Sequence, residues 1–290
     1  MLDARTKLVG LVGWPVVHSL SPQMHNAAFD ALGLNWRYLP FPVAPALLEQ
    51  ALAGLPALGI HGVNVTIPYK QAILPYLNTI DPIAKKLGAV NTVMIHLQSG
   101  RDPVLHGTNT DLTGFINTLK QGGFNDFKGK RALVIGSGGA ARAVVYGLIN
   151  EGIQEIAIIN RSTDKAQELV KDFAGLCHKL TLYPLDKHHL VLNAEQSDLM
   201  VNTTPLGTWP EMEMSIWPQD IPIPSRLTVF DLVYNPLVTK LLRQAERSHA
   251  VTISGLEMLV QQGGQAFQIW TGLPAPLEVM RKTCKMIIGE

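Results

Sequence analysis

Cysteine is almost missing from this chain: Cys177 and Cys284 are the only two in 290 residues, far apart and without CxxC or metal-type spacing. That pattern excludes a disulfide framework and a structural zinc site, and it points to a reducing cytoplasm. An excess of either charge is missing too, with 24 Lys+Arg against 23 Asp+Glu and a formal net charge of +1. Nucleic acid and anionic membranes are bound through basic patches, so neither is an expected partner and a small molecule is. No uninterrupted apolar run approaches the roughly 18 residues of a membrane span. The apolar stretch from Leu8 to Val17 has little basic flank and breaks at Pro15, so it reads as a buried strand rather than a secretory leader. Low-complexity blocks and solenoid-period repeats are absent. His18, His25, His188 and His189 lack ligand spacing, so no metal is expected, and Trp209, Trp217 and Trp270 are too scattered to form a base-stacking platform.

What is present is ordinary globular material, 47% hydrophobic and 16% charged, in a chain about twice the usual domain length. Two domains are expected. Strands are predicted at Lys7 to Val12, Trp36 to Phe41, Gly62 to Thr66 and Asn91 to Leu97. A helix opens at Ser21-Pro22 with the serine as N-cap, and another runs from Pro45 to Leu52. This alternation implies a mainly parallel sheet flanked by helices. After a helix from Asp111 to Lys120, Gly122-Gly123 and a polar stretch mark a boundary. A second α/β unit then starts at Arg131, with strands at Ala132 to Ile135, Ile156 to Ile159, Asp198 to Asn202 and Thr228 to Leu232. Two terminal helices, Leu256 to Trp270 and Pro276 to Ile288, are expected to return to the first domain.

Gly136-x-Gly138-x-x-Ala141 lies after a strand and opens a helix, where a dinucleotide fingerprint belongs. Gly136 permits the tight turn, Gly138 lets a pyrophosphate approach the backbone, and Ala141 still allows close packing of helix on strand. The helix start offers free N–H groups and a positive dipole end. At the end of the next strand stands Asn160-Arg161-Ser162, with Lys165 one turn on and no acidic residue at the position that would bind a ribose 2′-hydroxyl. A guanidinium fork and an ammonium there suit a 2′-phosphate, hence NADP. A solvated Arg-Lys pair is the plainer reading of the same residues.

Several motifs occur in order along nearly the whole chain: Ser19-Leu-Ser-Pro-Gln-Met-His-Asn26, Asn64-Val-Thr-Ile-Pro-Tyr-Lys70, Gly88-Ala-Val-Asn-Thr92, Gly107-Thr-Asn-Thr-Asp111, Gly136-Ser-Gly-Gly-Ala140, Asp231-Leu-Val-Tyr-Asn-Pro236 and Gly255-Leu-Glu-Met-Leu-Val-Gln-Gln262. Together they resemble the shikimate dehydrogenase family. The resemblance implies an α/β fold with a split substrate domain, residues 1–111 plus 252–290, and a Rossmann-type doubly wound NADP-binding domain, residues 112–251. It implies NADPH-dependent reversible reduction of 3-dehydroshikimate to shikimate, a step toward chorismate and the aromatic amino acids. A homodimer is compatible with it.

By the same resemblance Lys70 and Asp111 are the catalytic pair. Alone, Lys70 would read as a surface charge and Asp111 as a helix N-cap. Ser19 and Ser21 resemble the pair that binds the substrate carboxylate, with Tyr234 beside it, and Thr66, Asn91 and Gln262 would bind ring hydroxyls. Amides supply both donors and acceptors for that purpose. The cofactor set is Gly136, Ser137, Gly138, Gly139, Ala140, Asn160, Arg161, Ser162, Lys165, and the nicotinamide-side loop Asn202, Thr203, Thr204. Ser254, Glu257 and Lys165 depart from the usual family pattern. Two other readings stay open at this stage: a quinate/shikimate dehydrogenase using NAD or NADP, and a nucleotide-binding regulator without turnover.

Overall fold

A computed structural model describes residues 2–97, 100 and 102–289, and the side chain of Lys165 lies outside the described residues. The chain forms two compact units, Met1–Thr110 with Val260–Glu290, and Asp111–Leu259. In the first unit the strands are β1 (Lys7–Gly13), β2 (Trp36–Pro42), β3 (Ile60–Val65), β4 (Thr79–Ile80), β5 (Thr92–His96) and β6 (Val104–Thr108). They form one sheet in the order β2-β1-β3-β5-β6-β4. The expectation of a mainly parallel sheet holds for β2-β1-β3 and for β6-β4, but β5 runs antiparallel to both β3 and β6. For the β5-β6 pair the reason is connection length: only residues 97–103 separate the two strands, too few for the helical crossover a parallel pair needs.

Helices α1 (Ser21–Ala31), α2 (Leu48–Ala57), α3 (Tyr69–Ala72) and α4 (Pro82–Leu87) follow the strands. Helix α4, not foreseen, is bounded by side-chain chemistry. Asp81 accepts from the Ile83 and Ala84 amides at 2.8 Å, and Gly88 ends the helix at φ +61°. Helix α1 corrects a detail: Ser21 is its first residue and not its cap, because Leu20 already holds helical angles, φ −83° and ψ −8°. Ser19 Oγ instead accepts the Ser21 N–H at 3.2 Å. One side of the unit packs Val12, Leu52, Val63, Val65, Ile73 and Val93. Another packs rings, with His25 stacked on Tyr38 at 4.5 Å and Phe29 on Phe267 at 5.1 Å.

In the second unit α5 (Asp111–Gln121) leads to β7 (Arg131–Ile135), α6 (Gly139–Asn150), β8 (Glu155–Asn160), α7 (Thr163–Phe173), β9 (Lys179–Pro184), α8 (Lys187–Glu195), β10 (Leu199–Asn202), β11 (Thr228–Asp231), α9 (Lys240–Arg247) and β12 (Val251–Ser254). All pairings are parallel, in the order β12-β11-β10-β7-β8-β9. Such a sheet is covered on both faces, which is why its strands read as continuous apolar runs. Val134, Ile156 and Ile158 enter one core; Leu133, Ile135, Ala157 and Ile159 enter the other. Because β12 completes this sheet, the chain returns to the first unit within α10 (Gly255–Thr271), later than the junction at residue 252 suggested by the sequence. The last helix is α11 (Leu277–Ile288).

Strand order reverses at β7, between β8 on one side and β10 on the other, and open α/β sheets bind ligands at the carboxyl ends of such strands. Gly136 follows β7 and Asn202 ends β10. Among the described residues no helix is long and apolar enough to cross a membrane, and no cluster of three or more His, Cys, Asp or Glu could hold a metal.

Candidate functional site

In the first unit the polar residues collect at the ends of β1, β3 and β5. Thr66 follows β3 and donates its N–H to Val12 O at 2.9 Å. Room for it comes from Gly13, where a Cβ would stand 2.3 Å from Thr66 Cγ2. The Tyr69 amide then bonds Thr66 O at 2.8 Å, turning the chain into α3 and placing half-buried Lys70 in its single turn. Lys70 O accepts the Val90 N–H at 2.7 Å, which ties the lysine's backbone to the residue before Asn91.

Asn91 is 2% exposed, and its amide orientation is fixed. Oδ1 accepts the Thr110 N–H at 2.8 Å, a group that can only donate. Nδ2 therefore faces outward from that amide and donates to Thr110 Oγ1 at 2.9 Å and Gln262 Oε1 at 3.3 Å. Behind it Asn64 donates to Asn91 O at 3.2 Å and to Thr92 Oγ1 at 3.0 Å, while accepting from the Tyr38 hydroxyl at 2.8 Å. Sequence reasoning named Asn91, Gln262 and Thr66 but missed Asn64, Thr92, Thr110 and Tyr38. Their signal was polar residues set within an otherwise apolar strand pattern. Ser19 and Ser21 contact each other through the Ser19 Oγ bond, at the start of α1.

In the second unit the glycine turn takes the form its sequence asked for. Gly136 sits at φ +112°, where a Cβ would lie 2.3 Å from Thr203 Oγ1, so a side chain there is excluded twice over. Gly138 caps α6 in extended conformation with no side-chain cap, and a Cβ on it would meet nothing within 4 Å. Ser137, Gly139 and Ala140 are half-buried around that helix start, and Ala141 is fully buried beneath it. A helix N-terminus with open space in front and no capping side chain fits a phosphate group.

Beyond β8, Asn160 donates to Ser162 O at 2.7 Å and shapes the turn from which exposed Arg161 and Ser162 project. Lys165 lies in α7, and its side chain is outside the described residues. At the end of β10, Thr203 Oγ1 donates to Ile135 O at 2.7 Å, and Asn202 Oδ1 accepts from Thr204 N at 3.1 Å and Thr204 Oγ1 at 2.7 Å. Asp231, not singled out from the sequence, is wholly buried beside Asn202. Asp111 is buried as the first residue of α5, and Tyr234 is half-buried in the loop after β11. The first unit thus offers amides, hydroxyls and a lysine, a set suited to a polyhydroxylated small molecule; the second offers backbone N–H groups and a guanidinium, a set suited to phosphates.

Comparison with known proteins gives three family-model matches. They are the shikimate dehydrogenase substrate binding domain at residues 11–93, the shikimate/quinate 5-dehydrogenase model at 118–206, and the shikimate 5'-dehydrogenase C-terminal domain at 255–285. The NADP(+) shikimate dehydrogenase of Moorella thermoacetica is 47% identical over 289 residues, covering 99% of this chain and 96% of the relative. A crystal structure of a shikimate dehydrogenase in complex with NADP+ superposes with a TM-score of 0.89 at 40% identity, covering 100% of this chain and 98% of that one. The Listeria monocytogenes shikimate 5-dehydrogenase, in complex with shikimate and NAD, superposes with a TM-score of 0.84 at 36% identity, covering 97% of both chains.

Proposed function

The chain belongs to the shikimate dehydrogenase family, and from that premise we propose how its residues divide the work. Its reaction is the NADP-dependent interconversion of 3-dehydroshikimate and shikimate, in the biosynthesis of aromatic compounds. NADP supplies or accepts the hydride when bound. Gly136, Ser137, Gly138, Gly139 and Ala140 would hold its pyrophosphate on the N-terminus of α6, and Arg161, with Ser162 and Lys165, its 2′-phosphate. Asn160 shapes that turn. Asn202, Thr203 and Thr204 would line the nicotinamide side.

Reduction of a ketone leaves an alkoxide that must take a proton. Lys70 Nζ is the donor in this reading, and it takes the proton back when shikimate is oxidised. The Asp111 carboxylate orients the ammonium and accepts from the reacting hydroxyl. Thr66, Asn91 and Gln262 recognise the ring hydroxyls, Ser19 and Ser21 the carboxylate, and Tyr234 stands beside it. The single observation that carries the assignment is the fixed Asn91 amide, 3.3 Å from Gln262 and one residue beyond the Val90 N–H that holds Lys70 O. Asn91 and Gln262, chosen for one substrate, are thereby bonded to each other, and the backbone of Lys70 is tied one residue away.

Steady-state kinetics on Lys70→Ala, Asp111→Asn and the double variant test the pair. Lys70→Ala should lower kcat by about 10²- to 10⁴-fold, the usual range for a positioned acid/base. The double variant should be little worse than the poorer single one, since residues acting as a unit are non-additive. If Lys70 merely holds substrate, KM rises, kcat stays nearly normal and the two losses multiply. We further place the protein in the cytoplasm, on its free cysteines Cys177 and Cys284. Assembly as a homodimer is open to light scattering.

A further inference from the structure

Asp231 has no role in the chemistry above, yet it is a carboxylate with no exposed surface at the carboxyl end of β11. Burying a charge without a cation is costly, and an apolar residue would fill such a place more cheaply. Its three neighbours share one property: each is a donor. Asn202 Nδ2 donates to Oδ1 at 2.9 Å, the Val233 N–H donates to the same oxygen at 3.1 Å, and Thr239 Oγ1 donates to Oδ2 at 2.6 Å.

We propose that Asp231 is a positioning residue for the cofactor loop, an acceptor-only group that fixes the polarity of the Asn202 amide and through it the placement of Thr204. With Nδ2 committed to Asp231, Asn202 turns Oδ1 to the N–H and O–H of Thr204. A flipped amide would set its NH₂ against the Thr204 N–H and its oxygen against a carboxylate. The adjacent Thr203 closes the loop onto the glycine turn through Ile135 O. On its other side Asp231 holds the Val233 amide and Thr239, whose Oγ1 caps α9 by accepting the Leu242 N–H at 3.2 Å. One side chain therefore anchors both loops that leave β10 and β11. Burial pushes its carboxyl up to about 6 even though all three donors pull it down, consistent with a site built around an acceptor at a real energetic cost.

The proposal rests on the reading of Asn202, Thr203 and Thr204 as cofactor contacts, so its test measures NADP+ dissociation constants by calorimetry, beside kinetics and thermal melting. Asp231→Ala should raise the NADP+ Kd roughly tenfold, the effect of losing one buried hydrogen bond, with shikimate KM nearly unchanged. Asp231→Asn keeps an oxygen for Asn202 and Val233 and should recover most of that affinity. A lower Tm in Asp231→Ala with normal NADP+ Kd and kcat, read well below the melt, would make the residue a plain fold support and overturn the proposal. Asn202→Ala separates the two failures: normal NADP+ affinity there sinks the loop reading itself. Weakened affinity in Asn202→Ala with none in Asp231→Ala sinks only the role of Asp231. If Asp231→Ala does not fold, Asn202→Asp sets two carboxylates face to face and should weaken NADP+ binding. Adding Asp231→Asn to it restores a donor–acceptor pair and should recover part of the loss; no recovery would count against the proposal.

Discussion

The two units bury their polar groups in opposite ways. In the first the lattice of Asn64, Thr92, Asn91, Thr110 and Gln262 is neutral, and His25, deep in that unit's ring core, is wholly buried with neither ring nitrogen hydrogen-bonded. In the second the interior polar cluster is organised by a carboxylate, Asp231, with three donors around it. The lesson is that the amide of Asn91 is oriented by backbone and hydroxyl partners, whereas the amide of Asn202 is oriented by a buried carboxylate. The two designs should answer differently to pH and to mutation.

The largest difference should come from acid. Packed against Phe29, Tyr38 and Trp270, His25 has its pKa pushed down by burial to about 3. An unfolded chain takes up this proton near the ordinary value, so the stability tied to neutral His25 is present above pH 6.5 and is lost as pH falls through about 3. The full loss is on the order of 4 to 5 kcal/mol. Asp231 has the opposite sign: raised to about 6, it favours the fold most below the ordinary carboxylate range, and that share is lost as pH rises through about 6. Between about pH 4 and 6 the two slopes oppose each other. Denaturant melts across pH should therefore show His25→Phe removing acid sensitivity and Asp231→Asn steepening it. Identical pH profiles in all three proteins would dissolve the contrast.

Next in size is the glycine turn. Gly136→Ala forces a Cβ onto Thr203 Oγ1 at a left-handed φ, and should cost the fold about 2 to 4 kcal/mol. Gly138→Ala meets no protein atom within 4 Å and should melt like the parent. Its NADP+ affinity should still fall by roughly tenfold or more, because the methyl group takes the phosphates' space. Melting curves and calorimetry on both variants check this; unchanged NADP+ affinity in Gly138→Ala would move the pyrophosphate elsewhere.

Much of this was legible in advance where the information is local. The strand, turn and helix around Gly136 follow from an apolar run, a glycine pair and a helix former, and the structure keeps all three. What escaped depends on distant pairing. β9 is an edge strand with intermediate burial and a proline at its end, so neither an apolar run nor a clean alternation marks it. β12 is four residues long, and α8 has no apolar stripe. The antiparallel course of β5 is a property of its neighbours. Asp231 sat in view after Thr-Val-Phe at a strand end, but its three donors come from residues 29, 2 and 8 positions away. The family motifs point to single residues such as Asn91 and Asn202, while the bonds that hold them, from Thr110 to Asn91 and from Asn202 to Asp231, emerge only from the folded structure.

The most selective expected effect concerns cofactor choice within the second unit. Arg161→Ala should raise the KM for NADP roughly ten- to hundredfold, as the loss of a charge-assisted phosphate bond implies, while leaving that for NAD nearly unchanged. Equal losses for both cofactors, measured side by side, would remove the 2′-phosphate from Arg161.

The central claim is met most directly by four initial rates, with shikimate and quinate each crossed against NADP+ and NAD+ and reduced nicotinamide followed by absorbance. The account predicts that shikimate with NADP+ is the fastest pair, ahead of shikimate with NAD+ by at least about tenfold, the minimum selectivity expected of a charge-assisted phosphate contact. Faster turnover of quinate with NAD+, or no reduction with any pair, would contradict it.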